Sequence, residues 1–248
     1  MAGHSKWANI KHRKAVVDAR RGKLFTRISR EIIVAARLGG GDPEANARLR
    51  FAITNARSVS MPLDNIKRAI QRGTGEIEGA IYEEAVFEGY GPGGVAVIVS
   101  CTTENRNRTV ADIRATFSKY GGNLGETNSV AWNFTYLGEV EVRTALTEEQ
   151  LLETALEAGA DDVIIGEETS TVVCAPDTLG RCASSLTEAG IDVVETRFTW
   201  IPTTTVPVTD LETAKKLLKM LDVFEENDDV QNVVNNASID DVLVDALS

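Results

Sequence analysis

The sequence predicts a multidomain α+β protein, with an N-terminal helical domain followed by two α/β units. Two observations carry this prediction. Residues 1–79 show helical periodicity and contain 16 Lys/Arg against 7 Asp/Glu, whereas residues 80–248 alternate short strand-like and helical segments and contain 10 against 30. In a chain of net charge −11, this asymmetry indicates a segment that faces a polyanion, joined to an acidic remainder.

Residues 1–79 carry the pattern of three helices. Over 10–37, apolar residues recur on one side of a 3.6-residue repeat and the cations from 20 to 37 recur on roughly the opposite side. A run of three glycines at 39–41 ends this helix, and Asp42-Pro43 opens a second over 43–58. A third begins after Pro62. We therefore expect a basic helical domain over residues 1–79.

The remainder carries the pattern of two α/β units. Between 140 and 200 the predicted order is β-α-β-β-α-β, with Thr147 and Gln150 capping the first helix, and this order is typical of a ferredoxin-like unit. Strands at 201–208 and 229–235 and a helix at 210–225 complete a second such set with the elements at 95–137, which include a strand at 129–137. We predict an inserted ferredoxin-like domain, 139–200, within a discontinuous domain, 80–138 plus 201–248.

Composition limits the cellular setting. No apolar run approaches the roughly 20 residues that a membrane helix needs, and no secretory signal is expected. The basic N-terminus resembles a mitochondrial transit peptide, but its helical periodicity continues without interruption, which favours a cytoplasmic protein. Cys101, Cys174 and Cys182 are widely spaced without a CxxC motif, as in a reducing compartment.

Catalytic and cofactor motifs are weak. The only histidines, His4 and His12, lie among cations and far in sequence from the cysteines, which disfavours a metal site or a nucleophile–histidine pair. The segment 89–94 matches GxGxxG, but it precedes a strand, and Pro92 removes a donor that a dinucleotide pyrophosphate would need. We expect no enzyme activity, no metal and no cofactor, and we interpret 89–94 as a connection between two strands.

The basic N-terminus is the strongest functional feature. Lysine and arginine displace counterions from phosphates, so a dense cationic segment favours nucleic-acid binding. Trp7 either stacks on an unpaired base or packs under the helical domain, and both interpretations stand. The predicted contact residues are Lys6, Trp7, Lys11, His12, Arg13, Lys14, Arg20, Arg21, Lys23 and Arg27.

A secondary contact loop is predicted from two further segments. Arg106, Asn107 and Arg108 lie at a strand-to-helix junction, where a helix N-terminus favours phosphate. Equally, Asn105 or Asn107 caps the helix while the arginines pair with nearby acids. Tyr90 and Gly91 join the predicted loop because glycines permit close approach of a partner.

Five ordered motifs give the chain a family resemblance. The opening MAGHSKWANIKHRK, MPLDNIKRAIQRGTGEIEG (61–79), EGYGPGGVAVIV (88–99), ENRNRTVADIR (104–114) and DDVQNV (228–233) resemble the YebC/PmpR family over essentially the whole chain. The resemblance implies one helical and two α/β domains in a non-enzymatic cytoplasmic or mitochondrial protein. Some members are described as transcriptional regulators that bind promoter DNA, others as translation factors on the ribosome. The sequence Asn-Asn-Ala-Ser at 235–238 departs from the more aromatic sequence expected there.

These observations lead to a functional expectation. The chain is expected to be a DNA-binding transcriptional regulator that uses its basic helical domain. A ribosome-associated translation factor contacting ribosomal or messenger RNA is the first alternative, since no clear set of base-reading residues marks a recognition helix. A small-ligand sensor built on the α/β units is the second. The acidic units are expected to meet protein partners and to limit indiscriminate binding by repelling polyanions, and no membrane partner is expected.

Overall fold

The computed structural model describes residues 17–166, 168–239 and 243, with the backbone alone for 17–21. Contacts divide the chain into two compact units. The first unit contains the described residues up to Arg27, then 80–135 and those from Trp200 onward; the second contains Ile28–Gly79 and the described part of Tyr136–Thr199. The three-domain division stays a prediction.

Three helices occupy the described part of residues 17–79, as the periodicity predicts: α1 (Val17–Gly39), α2 (Ala47–Ser58) and α3 (Leu63–Thr74). Asn46 is the N-cap of α2, since its Oδ1 accepts a hydrogen bond from the Leu49 amide at 3.1 Å. Its Nδ2 donates to the carbonyls of Ala35 and Gly40, each at 2.8 Å. One buried amide thus satisfies backbone groups at the end of α1 and at the start of α2.

Strands and helices then alternate to the end of the described chain. In order they are β1 (Glu83–Tyr90), β2 (Ala96–Thr103), α4 (Arg106–Lys119), β3 (Asn123–Leu124), β4 (Phe134–Arg143), α5 (Glu148–Glu157), β5 (Asp162–Ile164), β6 (Ser170–Cys174), α6 (Leu179–Glu188), β7 (Asp192–Pro202), β8 (Val206–Val208), α7 (Leu211–Glu226), β9 (Val230–Asn235) and β10 (Ala237–Ile239). The chain crosses from one unit to the other within α1, β4 and β7, and between Gly79 and Ala80. This mixture of N-terminal helices and mainly antiparallel sheets agrees with the predicted fold class.

The first unit is built on a sheet of order β3-β1-β2-β9. Its inner face packs on α4 and α7, where the rings of Phe117 and Phe224 meet edge to face with centroids 4.9 Å apart. The opposite face carries Ala96 and Ile98, which pack against a smaller apolar cluster that includes Phe134. Both faces of β2 are therefore buried, as its uninterrupted apolar run indicates.

The strand order of this sheet differs from the predicted second β-α-β-β-α-β set. Strand β1 lies between β2 and β3, whereas β8 lies outside the sheet and pairs in parallel with β10. Only five residues join β1 to β2, so closing this hairpin costs little chain entropy. Pro207, in the middle of β8, has no amide hydrogen and disfavours a central place in a sheet.

A buried carboxylate explains why the predicted strand at 129–137 begins late. Glu88, in β1, is 5% exposed, and it accepts hydrogen bonds from the amides of Asn128 (2.7 Å), Val130 (2.8 Å) and Ala131 (2.7 Å). Three amides from such a short segment can reach one carboxylate only if the backbone turns. The segment accordingly contains a 3₁₀ turn at Ala131–Asn133, and β4 starts at Phe134.

The second unit contains a sheet of order β5-β6-β4-β7. Its elements follow the predicted order β-α-β-β-α-β, and α5 and α6 pack on one face through Leu151, Leu179 and Leu186. The predicted capping box of α5 is confirmed, because the Thr147 and Gln150 side chains each bond the other residue's amide.

The outer edge of β7 is contacted at one residue by the side chain of Asn55. Strand β7 is the last in the sheet order, so its outer edge has no neighbouring strand in this sheet. Asn55, on α2, donates from Nδ2 to the Thr196 carbonyl at 2.7 Å, and its Oδ1 accepts from the Thr196 amide at 3.2 Å. The amide reproduces the two bonds of a neighbouring strand and joins α2 to the sheet.

We expect the Glu88→Gln substitution to destabilise the protein. A glutamine side chain is uncharged and has one acceptor oxygen, so all three amides lose a charged acceptor and at least one loses its hydrogen bond, at a cost of about 1.5–3 kcal/mol. Urea and thermal unfolding measure the change. Glu83→Gln, at an exposed position of the same strand, is the control, and equal effects of the two substitutions would contradict a special role for Glu88.

Candidate nucleic-acid interface

The densest part of the predicted interface lies outside the described residues. The predicted contact residues outside the described part are Lys6, Trp7, Lys11, His12, Arg13 and Lys14, together with the side chains of Arg20 and Arg21 in α1. Their contact with nucleic acid, and the choice between stacking and packing for Trp7, stay predictions.

Lys23 and Arg27, on α1, contact the C-terminal end of α7. Lys23 Nζ donates to the Glu226 carbonyl at 3.0 Å, and Arg27 Nη2 donates to the Glu225 carbonyl. These carbonyls belong to the last turn of α7, where unpaired acceptors and the helix dipole favour cations. Burial lowers the pKa of Arg27, and the charges of Glu225 and Asp228 act in the opposite direction. Both cations therefore join the start of α1 to α7, a role that the sequence did not reveal.

The N-terminus of α4 is capped by Asn105. Its Oδ1 accepts from the Arg108 amide at 3.1 Å, and its own amide donates to Thr103 Oγ1 at 2.9 Å. Of the two interpretations left open for this junction, capping by Asn105 is thus observed. The side chains of Arg106 and Asn107 are exposed, and the described residues give them no hydrogen-bond or ion-pair partner.

Beneath this junction lies a buried carboxylate. Asp229 is 4% exposed, and its Oδ2 lies 2.7 Å from Thr109 Oγ1, 3.2 Å from Thr103 Oγ1 and 3.0 Å from Arg108 Nη2. The hydrogen bond to Asp229 raises the pKa of Arg108. Because Arg108 is oriented towards this acid, only Arg106 and Asn107 of the predicted triplet project freely at the helix start.

The charge of Asp229 also reaches a thiol. Burial raises the pKa of Cys101 to about 12, and Asp229 adds to the shift because an anion disfavours a nearby thiolate. Cys101 is 2% exposed, and all three cysteines of the chain are buried as free thiols. None is therefore a nucleophile accessible from solvent.

Tyr90 and Gly91 connect β1 to the turn before β2. Tyr90 Oη donates to the Ser129 carbonyl at 3.1 Å. A Cβ atom at Gly91 would lie 2.7 Å from Met220 Cε, and Gly93 has a φ of 73°. Gly91 thus packs closely against α7, and the turn needs glycine at position 93 for a left-handed backbone, as expected of a strand connection. Its role as a contact loop stays a prediction.

Two surface features escaped the sequence analysis. Lys67, Arg68 and Arg72 are exposed on α3, opposite its buried residues, and their spacing on one helix was the available signal. Trp132 is 70% exposed, with its Nε1 donating to the Ser129 carbonyl at 3.1 Å. The alternation around Trp132 suggested a strand, so nothing in the local sequence marked it as exposed.

Within the described ranges, no helix is both long and apolar enough to cross a membrane. The same part of the chain brings together no group of three His, Cys, Asp or Glu side chains that could hold a metal ion.

The Asp229→Asn substitution is expected to destabilise the first unit. It removes the charged acceptor of the Thr103 and Thr109 hydroxyls, and hydrogen bonds to a charged group contribute about 1.5–3 kcal/mol. Urea unfolding checks this. The control is Glu104→Gln, which removes an exposed carboxylate 3.6 Å from Arg108 and should have little effect. If the two variants unfold alike, the buried carboxylate does not organise this junction.

Comparison with known proteins places the chain in a family. The model described as "TACO1/YebC protein N-terminal domain" matches residues 5–76, and the model described as "TACO1/YebC second and third domain" matches residues 82–237. The two models together cover most of the chain.

Relatives match over the full length. The chain is 52% identical over 249 residues to a protein of a Sulfurihydrogenibium species, covering 100% of this chain and 99% of that one. It is also 52% identical over 248 residues, with the same coverage, to a protein of Myxococcus xanthus, and both are named "probable transcriptional regulatory protein". The crystal structure of a conserved hypothetical protein from Aquifex aeolicus superposes with a TM-score of 0.90 at 50% identity, over 96% of this chain and 98% of that chain. The resemblance found in the sequence is thereby confirmed, and the chain belongs to the TACO1/YebC family.

Proposed function

We propose that this protein is a non-enzymatic regulator of gene expression that binds DNA through its basic N-terminal helical segment. The observation that carries the proposal is the separation of charge: 16 of the 26 Lys/Arg fall in residues 1–79, while 30 of the 37 Asp/Glu follow them. The names of the two relatives support a role in regulating transcription.

The phosphate contacts are assigned chiefly to the cations that precede Lys23. Lys23 and Arg27 donate to carbonyls of α7, so they add to the local positive potential while their donors are partly occupied. Direct contacts then fall to Lys6, Lys11, Arg13 and Lys14, followed by Arg20 and Arg21. Trp7 and His12 are the candidates for contact with a base or a sugar.

A secondary contact is assigned to the start of α4. Arg106 and Asn107 are exposed beside a helix N-terminus whose dipole favours a phosphate. Asn105 and the Asp229 cluster hold that terminus in place, so the two exposed side chains extend from a fixed base.

The acidic α/β units restrict where a polyanion can approach. Residues 80–248 contain three times as many acids as cations, and their potential repels phosphates outside the basic segment. We assign to these units the positioning of the segment and contacts with protein partners, in the cytoplasm.

RNA on the ribosome is the second candidate target. Counterion release is shared by DNA and RNA, and stacking by Trp7 would favour unpaired bases, which are commoner in RNA. A small-ligand sensor is the candidate from another class, and thermal stabilisation of the full chain by a metabolite would favour it.

Charge reversal in the N-terminal segment should weaken nucleic-acid binding and reduce its dependence on salt. For Lys11→Glu/Arg13→Glu/Lys14→Glu, we expect weaker binding to the preferred nucleic acid and a shallower dependence on salt. On duplex DNA, the slope of log affinity against log salt should fall by about 0.9 for each phosphate that the protein no longer neutralises. Fluorescence anisotropy with duplex DNA, structured RNA and ribosomes, from about 50 to 200 mM salt, measures both quantities.

The matched control is Arg114→Glu/Arg143→Glu/Arg181→Glu, which reverses three exposed cations outside residues 1–79 and outside the predicted contact loop. It changes net charge by the same amount and should leave the slope nearly unchanged. Equally weakened binding in both variants would show that net charge, and not the N-terminal segment, governs binding. Binding by ribosomes alone would overturn the DNA proposal in favour of the RNA candidate.

A further inference from the structure

The outward side of α3 carries three cations that the N-terminal proposal does not use. We propose that Lys67, Arg68 and Arg72 form a second phosphate-binding surface, on the second unit, for the backbone of a nucleic acid. This inference rests on the nucleic-acid-binding function proposed above and extends it to a helix that the structure describes fully.

Packing fixes which side of α3 faces outward. Ile66 and Ala69 are buried, and a Cβ atom at Gly73 would lie 2.5 Å from the Ile33 carbonyl and 2.7 Å from Ala36 Cβ. The backbone of α3 therefore lies against that of α1 along a line that admits only glycine at position 73. At 3.6 residues per turn, the three cations point away from this contact.

Two cations of α2 are engaged, whereas the described residues give the cations of α3 no partner. Arg48 pairs with Glu31 at 2.7 Å, and Arg50 donates to the Pro43 carbonyl at 2.9 Å. Among the residues that the structure describes, no hydrogen bond or ion pair engages the side chains of Lys67, Arg68 or Arg72. Even Asp64, one turn earlier on the same helix, forms no ion pair with them in the described structure. With respect to the described residues, their donors are therefore available to an external group.

Two of these cations repel each other across one turn of the helix. Arg68 and Arg72 are separated by four residues, which places their Cβ atoms about 5–6 Å apart, and like charges at this spacing destabilise a helix. A phosphate strand removes the repulsion, and each guanidinium can offer it two parallel hydrogen bonds. Gln71, on the same side of the helix, adds an uncharged donor and acceptor.

The chemistry of α3 favours a polyanion over a lipid surface. A helix that lies in a membrane interface inserts an apolar face beneath its cations. The apolar face of α3 is already buried, with Gly73 close against α1, and of its large apolar side chains only Leu63, at the very start, is markedly exposed, at 61%. Because α3 offers cations but no apolar face that could enter a membrane, its chemistry points to the phosphates of a polyanion in solution.

The test is a salt series on the full-length chain with Lys67→Gln/Arg68→Gln/Arg72→Gln. Glutamine removes the charge and retains good helix propensity, so the fold is expected to survive, and thermal unfolding checks this. We expect weaker binding and a slope that falls, for each phosphate no longer neutralised, by about 0.9 on duplex DNA or about 0.7 on a single strand. Parallel titrations with duplex DNA and with structured RNA identify which nucleic acid α3 contacts. The single variant Arg72→Gln provides the same readout if the triple variant unfolds early.

The control is Arg114→Gln/Arg143→Gln/Arg181→Gln, which should leave the slope unchanged. An unchanged slope for the α3 variant, with a reduced slope for Lys11→Glu/Arg13→Glu/Lys14→Glu, overturns the α3 surface and leaves the N-terminal interface intact. Weaker binding in the α3 variant alone supports α3 and overturns the N-terminal assignment. If the unmodified protein binds neither DNA nor RNA, both proposals fail together.

Discussion

The carboxylate of Asp229 is the interaction on which the organisation of the first unit depends. Its side chain accepts from the hydroxyls of Thr103, at the end of β2, and Thr109, in the first turns of α4. Its backbone carbonyl accepts from the Thr102 amide at 2.8 Å, and its own amide donates to Asn227 Oδ1 at 2.9 Å. One residue therefore connects a central strand, the helix that follows it and the turn between α7 and β9. The buried charge is tolerated because the two hydroxyls and the Arg108 guanidinium donate to the carboxylate.

Glu88 serves the same purpose on the other face of the sheet. It converts a segment with strand-like alternation into a turn, because three amide bonds to a carboxylate outweigh a weak local preference. In an acidic chain, a few buried acids thus act as architectural acceptors, while most remain on the surface. The sequence does not indicate that either carboxylate is buried, because each belongs to an ordinary Asp or Glu within a strand or turn.

What could be predicted from the sequence follows the range of the interactions. The helices of residues 17–79, the capping box at Thr147 and the turn near Gly93 depend on neighbours within a few residues, and the sequence predicted each of them. The pairing of β1 with β3 and the partner of Lys23 depend on residues farther along the chain; the Lys23 contact spans 203 positions. Charge patterns indicated where cations concentrate. They could not separate cations occupied by carbonyls or acids, such as Arg27 and Arg108, from those left exposed, such as Arg106 and Lys67.

The burial of every thiol has a practical consequence for spectroscopy. Cys101, Cys174 and Cys182 are each at most 2% exposed, so alkylating reagents meet no accessible sulfur on the folded protein. A cysteine introduced at an exposed position would be the one readily labelled site, without removal of the native three. A fluorophore attached there could follow association with a binding partner in real time, while the native cysteines continue to fill the apolar interior.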